Sequence, residues 1–267
     1  MFRKKLTDYF PSAGLPWGHA PVNQPPAQIF LTETVEIVDA INHCARTFTK
    51  KKSGDFTKDS SDSYQHMAIS AFALMMSHFE RFQKAQFAQL INTMDFMNGT
   101  DDVQLSKDLE KLGCSLSLQR ILSGRGEPRE PGQIVADAMP GWHNAGRVNR
   151  YFNIVFPRTQ FYSKDCVREL DLMWQIRHSI VHTAGVITRE DAGKVPELRD
   201  YADRRLQLGT EFVSAVARRF HIMLKESVDK LWQATKEAIE EAGETEEREE
   251  LVDSIAGIDS PRRSWLN

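Results

Sequence analysis

The sequence predicts an all-α protein, a helical bundle carrying an extended proline-rich N-terminal arm and one irregular insertion. Three observations carry this expectation: apolar residues recur at steps of three and four over long segments, no segment alternates with the period of two that a half-buried strand needs, and no internal repeat of fixed period is found.

The arm comes first. Pro11, Pro16, Pro21, Pro25 and Pro26 remove helix donors and favour extended backbone over residues 1–27, and residues 28–267 are expected to form a single domain. A first helix is expected over residues 32–52, with Val35, Val38, Ile41 and Ala45 at helical spacing, fading into the charged, Ser-rich stretch 50–63. The strongest helical pattern covers residues 63–97, where Phe72, Met75, Phe79, Phe82, Leu90 and Met94 form an apolar stripe that Asn98-Gly99 ends. Asp101 is placed to cap a shorter helix that runs through Leu112 and stops at Gly113. The insertion, about residues 113–145, holds Ser123-Gly124-Arg125-Gly126, Pro128, Pro131 and Pro140 and is expected to be a surface loop. A helix over 145–156 precedes Pro157. Ser163 then caps a helix from Lys164 to about Thr183, closed by Gly185. A last long helix is expected over 197–242, with Leu208, Phe212, Val216, Phe220, Met223, Leu231 and Ile239 on one stripe, and with an acidic, solvated end at Glu244 to Glu250.

Bulk composition narrows the function classes. With 267 residues, 41% hydrophobic and 27% charged, the chain can bury a substantial core. Its net charge of −3 means that nucleic acid must be held by a local basic patch, which disfavours a general DNA-binding protein. Cys44, Cys114 and Cys166 are odd in number and scattered, without the CxxC spacing of a zinc knuckle or the pairing of a disulfide frame. That usage suits a cytoplasmic protein. The basic start Met1-Phe2-Arg3-Lys4-Lys5 leads into polar residues and prolines and not into a signal-type apolar run. No run of ~18 apolar residues suggests a membrane span.

The chemistry concentrates in Arg177-His178-Ser179-Ile180-Val181-His182. On this helix the apolar stripe passes through Leu170, Met173, Trp174, position 177, Val181 and Ala184, so Arg177 stands where a core residue is expected. A buried guanidinium is costly unless paired, so Arg177 either bridges a carboxylate inside or points into a site. His178 and His182, four apart, share a face. Arg177 and His182 are about 140° apart and can converge only near a helix end or in a groove. Gly185 supplies such an end.

Arginine and histidine are what metal-free RNA cleavage needs. A base must take the ribose 2′-hydroxyl proton, an acid must protonate the leaving 5′-oxygen, and positive charge must meet the phosphorane. Histidine can take either proton role near neutral pH, and arginine forks onto two phosphate oxygens.

The segment resembles the Rx4–6H signature of the HEPN superfamily ribonucleases, and Phe79-Glu80-Arg81-Phe82 resembles the aromatic and acidic helix start of the RiboL-PSP-type branch. The resemblance implies a helical bundle that dimerises so that two motifs face one another, with Arg177 and His182 as the catalytic pair and His178 in the polar slot after the arginine. It further implies an endoribonuclease in a toxin or anti-phage defence role, with RNA as partner, no cofactor and no metal, leaving 2′,3′-cyclic phosphate and 5′-hydroxyl ends. The slot after Arg177 is more often asparagine in the family, which tolerates histidine. His182 is followed by Thr183-Ala184 and not by the x-Tyr of toxins paired with a nucleotidyltransferase antitoxin, so the resemblance does not point to that arrangement; another antitoxin or a sensor subunit stays open.

Plainer readings stand beside these. Arg177 could be a buried arginine bridged to a carboxylate, with His182 satisfied by a backbone carbonyl. His178 and His182 could hold a metal, although no HExxH glutamate or third ligand accompanies them. The whole chain could be a non-catalytic helical module that binds RNA or protein. Glu80 could orient Arg177, or pair with Lys84 one turn on. Phe72, Phe79 and Phe82 are expected in the core and not on a base-stacking platform. Arg147 and Arg150 are the first candidates for RNA backbone contacts, ahead of Lys50-Lys51-Lys52, Arg204-Arg205 and Arg218-Arg219.

Overall fold

The structure, a computed structural model, describes residues 24–94, 101–116, 130–157 and 159–243, together with Val252, Ser254, Ile255, Ile258 and Trp265. The expectations for residues 1–23, Asn98-Gly99, Ser123 to Pro128 and Glu244 to Glu250 lie outside the described residues.

The protein is all-α. In chain order the elements are α1 (Pro26–Thr47), α2 (Lys58–Thr93), α3 (Asp102–Lys111), α4 (Pro131–Ala138), α5 (Ala145–Val155), α6 (Lys164–His182), β1 (Val186–Ile187), α7 (Arg189–Lys194), a 3-10 turn (Pro196–Tyr201), β2 (Arg204–Arg205) and α8 (Phe212–Ala242). The two strands form one short antiparallel ribbon, Val186 opposite Arg205 and Ile187 opposite Arg204. Among the described residues no helix is long and apolar enough to cross a membrane.

α2 is the axis of the bundle. At ~54 Å it is long enough for α1, α4, α5, α6 and α8 all to pack on it. Phe72, Met75, Phe79, Phe82 and Leu90 of its stripe are buried. Phe30 of α1, Phe79 and Phe82 of α2 and Phe220 of α8 interlock, with Phe79 and Phe220 only 4.6 Å apart between ring centroids. A second aromatic group joins Phe87 of α2 to Trp142 and to Tyr151 and Phe152 of α5. These rings are core, as their spacing implied.

Several elements depart from their expected bounds. α1 begins at Pro26, inside the stretch expected to be extended, because a proline at the first helical position lacks only an N–H that the first turn does not use. α2 begins at Lys58, where the Thr57 hydroxyl accepts from the Ser60 N–H. Within the insertion, Pro131–Ala138 is helical and packs on α2. Here Gly132 lies so close to α2 that its N–H reaches Asn92 Oδ1 at 2.6 Å.

The last helix begins at Phe212, not at 197. Residues 197–207 are too polar to lay an apolar stripe on the core, and their backbone donors turn to the ribbon instead: Asp203, at φ +60°, donates to the Ile187 carbonyl (2.8 Å) and Leu206 to that of Gly185 (2.7 Å). Gln65 then clamps the loop onto α2, accepting from Leu208 N–H at 2.7 Å and donating to its carbonyl at 2.6 Å.

Candidate functional site

α6 is fixed at both ends. Asn149 of α5 holds the Tyr162 backbone on two sides, accepting its N–H (2.7 Å) and donating to its carbonyl (2.9 Å). Tyr162 is itself buried and accepts from Gln83 of α2, and burial pushes its phenol far up. The next residue, Ser163, caps α6 by accepting from the Cys166 N–H. At the other end Gly185, at φ +81°, turns the chain so that its N–H reaches back to the Ser179 carbonyl at 2.9 Å.

The buried line of α6 differs from the expected stripe. Leu170, Met173 and Trp174 are buried, but the line continues through Ile176 and Ser179, while Val181 is 51% exposed and Ala184 is also exposed. The end of α6 therefore leaves the core. Arg177 flanks the buried line, half-buried, and faces a groove of about 460 Å³.

That groove gathers Arg177, His178 and His182 of α6 with Lys194 at the end of α7, Val195 after it, and His143 and Asn144 just ahead of α5. The His178 and His182 rings lie 4.5 Å apart between centroids. Arg177 and His182 meet there because His182 is the last residue of the helix. Toward the middle of α6, Asp171, Trp174 and Gln175 line the same groove. Although Asp171 is exposed as a residue, its carboxyl is partly desolvated and is pushed up.

Two features of the groove carry chemistry. The first is a set of donors without acceptors: the side-chain nitrogens Trp174 Nε1, Gln175 Nε2 and Arg177 Nε are buried and unpartnered. Each such group costs about 1–3 kcal/mol, and all three belong to lining residues. Arg177 makes no ion pair with any described residue, so the carboxylate bridge considered for it is not formed there.

The second feature is Asp191, which sequence reasoning missed. It lies at the start of α7, almost fully buried, with its carboxylate 3.9 Å from His178 Nε2, 3.3 Å from the Ser179 hydroxyl and 3.5 Å from Lys194 Nζ. Desolvation pushes this carboxyl up, but hydrogen bonding by the Thr188 side chain and the nearby charges of His178 and Lys194 outweigh it and hold the group below its usual value. Asp191 thus stays ionised behind His178. Thr188, three residues ahead of it and capping α7, was the only local signal, and it marks a helix start and not a site.

The chain is similar to no known protein by three comparisons. No family model matches it, and no curated protein or solved structure gives a significant match.

The other candidate residues lie apart from the groove. Glu80 pairs with Lys84 at 2.9 Å and lines a separate pocket with Ser77, Arg81 and Asp137, so the structure does not bring it to Arg177. Arg147 and Arg150 lie on α5, one turn and more beyond the groove residue Asn144, whose Oδ1 accepts from the Arg147 N–H at 2.8 Å; Arg150 is exposed and Arg147 packs over Gly141. Arg204 and Arg205 are exposed on β2, and Arg219 pairs with Glu169 at 2.5 Å. Among the described residues no group of three or more His, Cys, Asp or Glu is arranged to hold a metal ion, so the His178 and His182 pair has no third ligand beside it.

Proposed function

We propose that this chain is a metal-independent endoribonuclease of the HEPN type, acting as a homodimer in a toxin or anti-phage role. One observation supports the reading most: Arg177, His178 and His182 line one groove, with the guanidinium unbridged and a buried carboxylate behind His178.

In this mechanism Arg177 forks onto two non-bridging oxygens of the scissile phosphate and meets the charge that grows on the phosphorane. His182 takes the proton of the ribose 2′-hydroxyl as that oxygen attacks phosphorus. The bond to the 5′-oxygen breaks, and that oxygen takes a proton from an imidazolium, supplied by the facing subunit's copy of the same histidine. The products are a 2′,3′-cyclic phosphate and a 5′-hydroxyl. His178, steadied by Asp191, packs beside His182 and fixes the orientation of its ring.

Purified protein is expected to cut a structured RNA in the presence of EDTA, and Arg177→Ala and His182→Ala, each folded, are expected to be inactive. Cleavage that persists in both variants overturns the assignment. An active protein that stays monomeric removes the shared cleft.

A further inference from the structure

We propose that the part of the groove between Trp174 and His143 is a nucleobase pocket selecting a keto base, guanine or uracil, over adenine and cytosine. The pocket itself stands on the groove alone; its position beside the scissile phosphate rests on the nuclease reading.

The lining is rich in donors and poor in acceptors. Trp174 is 7% exposed, and its indole Nε1 finds no acceptor. Gln175 Nε2 and Arg177 Nε are unpartnered in the same groove. Indole and guanidinium can only donate, so the fixed pattern of this wall asks for acceptors from whatever fills it. Asn144 adds no acceptor, since its Oδ1 is committed to capping α5. The one acceptor of this half is the Asp171 carboxylate, a turn before Trp174.

Three donors and a single carboxylate match a keto base. Guanine offers O6 and N7 as acceptors with N1–H as a donor, and uracil offers O4 with N3–H; adenine and cytosine place an exocyclic amine where the carbonyl would be, donor against donor. The shape agrees. The exposed ring of His143 stands edge-on to Trp174, 6.3 Å away at 73°, leaving its face open for a base to stack. Trp174 and Arg177 are ~4.5 Å apart along the helix axis, a span comparable with that from a base to a neighbouring phosphate.

Calorimetric titration of the full chain with the 5′-monophosphates of guanosine, uridine, adenosine and cytidine tests the pocket without requiring catalysis. The keto nucleotides are expected to bind about tenfold tighter or more. Trp174→Phe, which keeps a ring and deletes the N–H, and Gln175→Leu are expected to bring all four within about threefold of one another. Equal binding of the four by the wild type, or binding of none, overturns the pocket; if Trp174→Phe does not fold, the wild-type ratio and Gln175→Leu decide. Sequencing the ends of a randomised RNA separates the two readings. Intact cleavage with no bias at the nucleotide beside the cut refutes the pocket and leaves the nuclease standing, whereas selective binding without cleavage refutes the nuclease and leaves the pocket.

Discussion

Replacing Gly132 by alanine tests the seating of α4 on α2, which turns part of an apparently irregular insertion into core. A Cβ at position 132 would lie 2.0 Å from the Ala88 carbonyl oxygen and 2.6 Å from Asn92 Oδ1, where ordinary contact begins at 3.4 Å. The carbonyl belongs to a helix backbone and cannot swing aside, so α4 must withdraw by about 1.4 Å. Overpacking of this kind costs ~1–3 kcal/mol. Withdrawal also breaks the Gly132 N–H bond to Asn92, worth ~1 kcal/mol, and a gain of up to ~1 kcal/mol from the helix preference of alanine works against both. The net loss of ~1–3 kcal/mol corresponds, at ~2–4 °C per kcal/mol for a chain of this size, to a fall in Tm of roughly 2–12 °C. Gly193 is the internal contrast, because nothing lies within 4 Å of a Cβ built there and the residue is helical. Gly193→Ala is expected to gain ~0.4–1 kcal/mol. Thermal unfolding followed by far-UV circular dichroism reads both. A Gly132→Ala protein that melts at or above the wild-type temperature refutes the close approach of α4 to α2.

Three further outcomes follow from the site and its surroundings. Asp191→Asn keeps the shape and removes the charge behind His178, so cleavage is expected to slow by about 10- to 100-fold, the range seen for buried groups that orient reacting ones, with RNA binding unchanged in a filter assay; full activity would show that His178 needs no carboxylate. Gly185→Ala forces a side chain into φ +81° with open space around it, so a loss of ~1–2 kcal/mol should be seen in urea unfolding, and an unchanged midpoint would refute the left-handed turn that ends α6. His221 stacks on Trp265 at 4.2 Å, and desolvation, helped by the charge of Lys225, holds its imidazole below the usual 6.5. The folded state therefore resists the proton: this contribution is complete above about pH 6.5 and is lost as pH falls through the lower folded-state value. Stability should fall on acidification through that window less steeply in His221→Gln than in wild type, and identical pH profiles would contradict the assignment.

How much the sequence disclosed depended on whether the signal was local. α3 and α6 were legible because their ends carry their own chemistry: Asp101 accepts from Val103 and Gln104, Ser163 accepts from Cys166, and Gly113 and Gly185 take positive φ. The α2 stripe was legible because so long a helix must repeat its period to stay buried. Prolines misled in two places, at Pro26 and Pro131, since each sits at a helix start where it costs nothing. The segment ahead of α8 was misread because apolar periodicity at Leu208 and Phe212 continues across a loop that Gln65 pins in place from 143 residues away in sequence. The same limit governs the site. Arg177, His178 and His182 are close in sequence and were visible as a motif, whereas Asp191 reaches His178 only through the turn at Gly185 and the ribbon, and the unpartnered donors of Trp174 and Gln175 exist only once neighbours fail to satisfy them.

The most direct test of the account is the chemistry of the ends left when the protein cuts a structured RNA in EDTA. Cleavage driven by Arg177 and His182 predicts 2′,3′-cyclic phosphate and 5′-hydroxyl ends, absent with either Arg177→Ala or His182→Ala. Ends bearing a 5′-phosphate and a free 3′-hydroxyl, or cyclic phosphate ends made equally well by both variants, would contradict it.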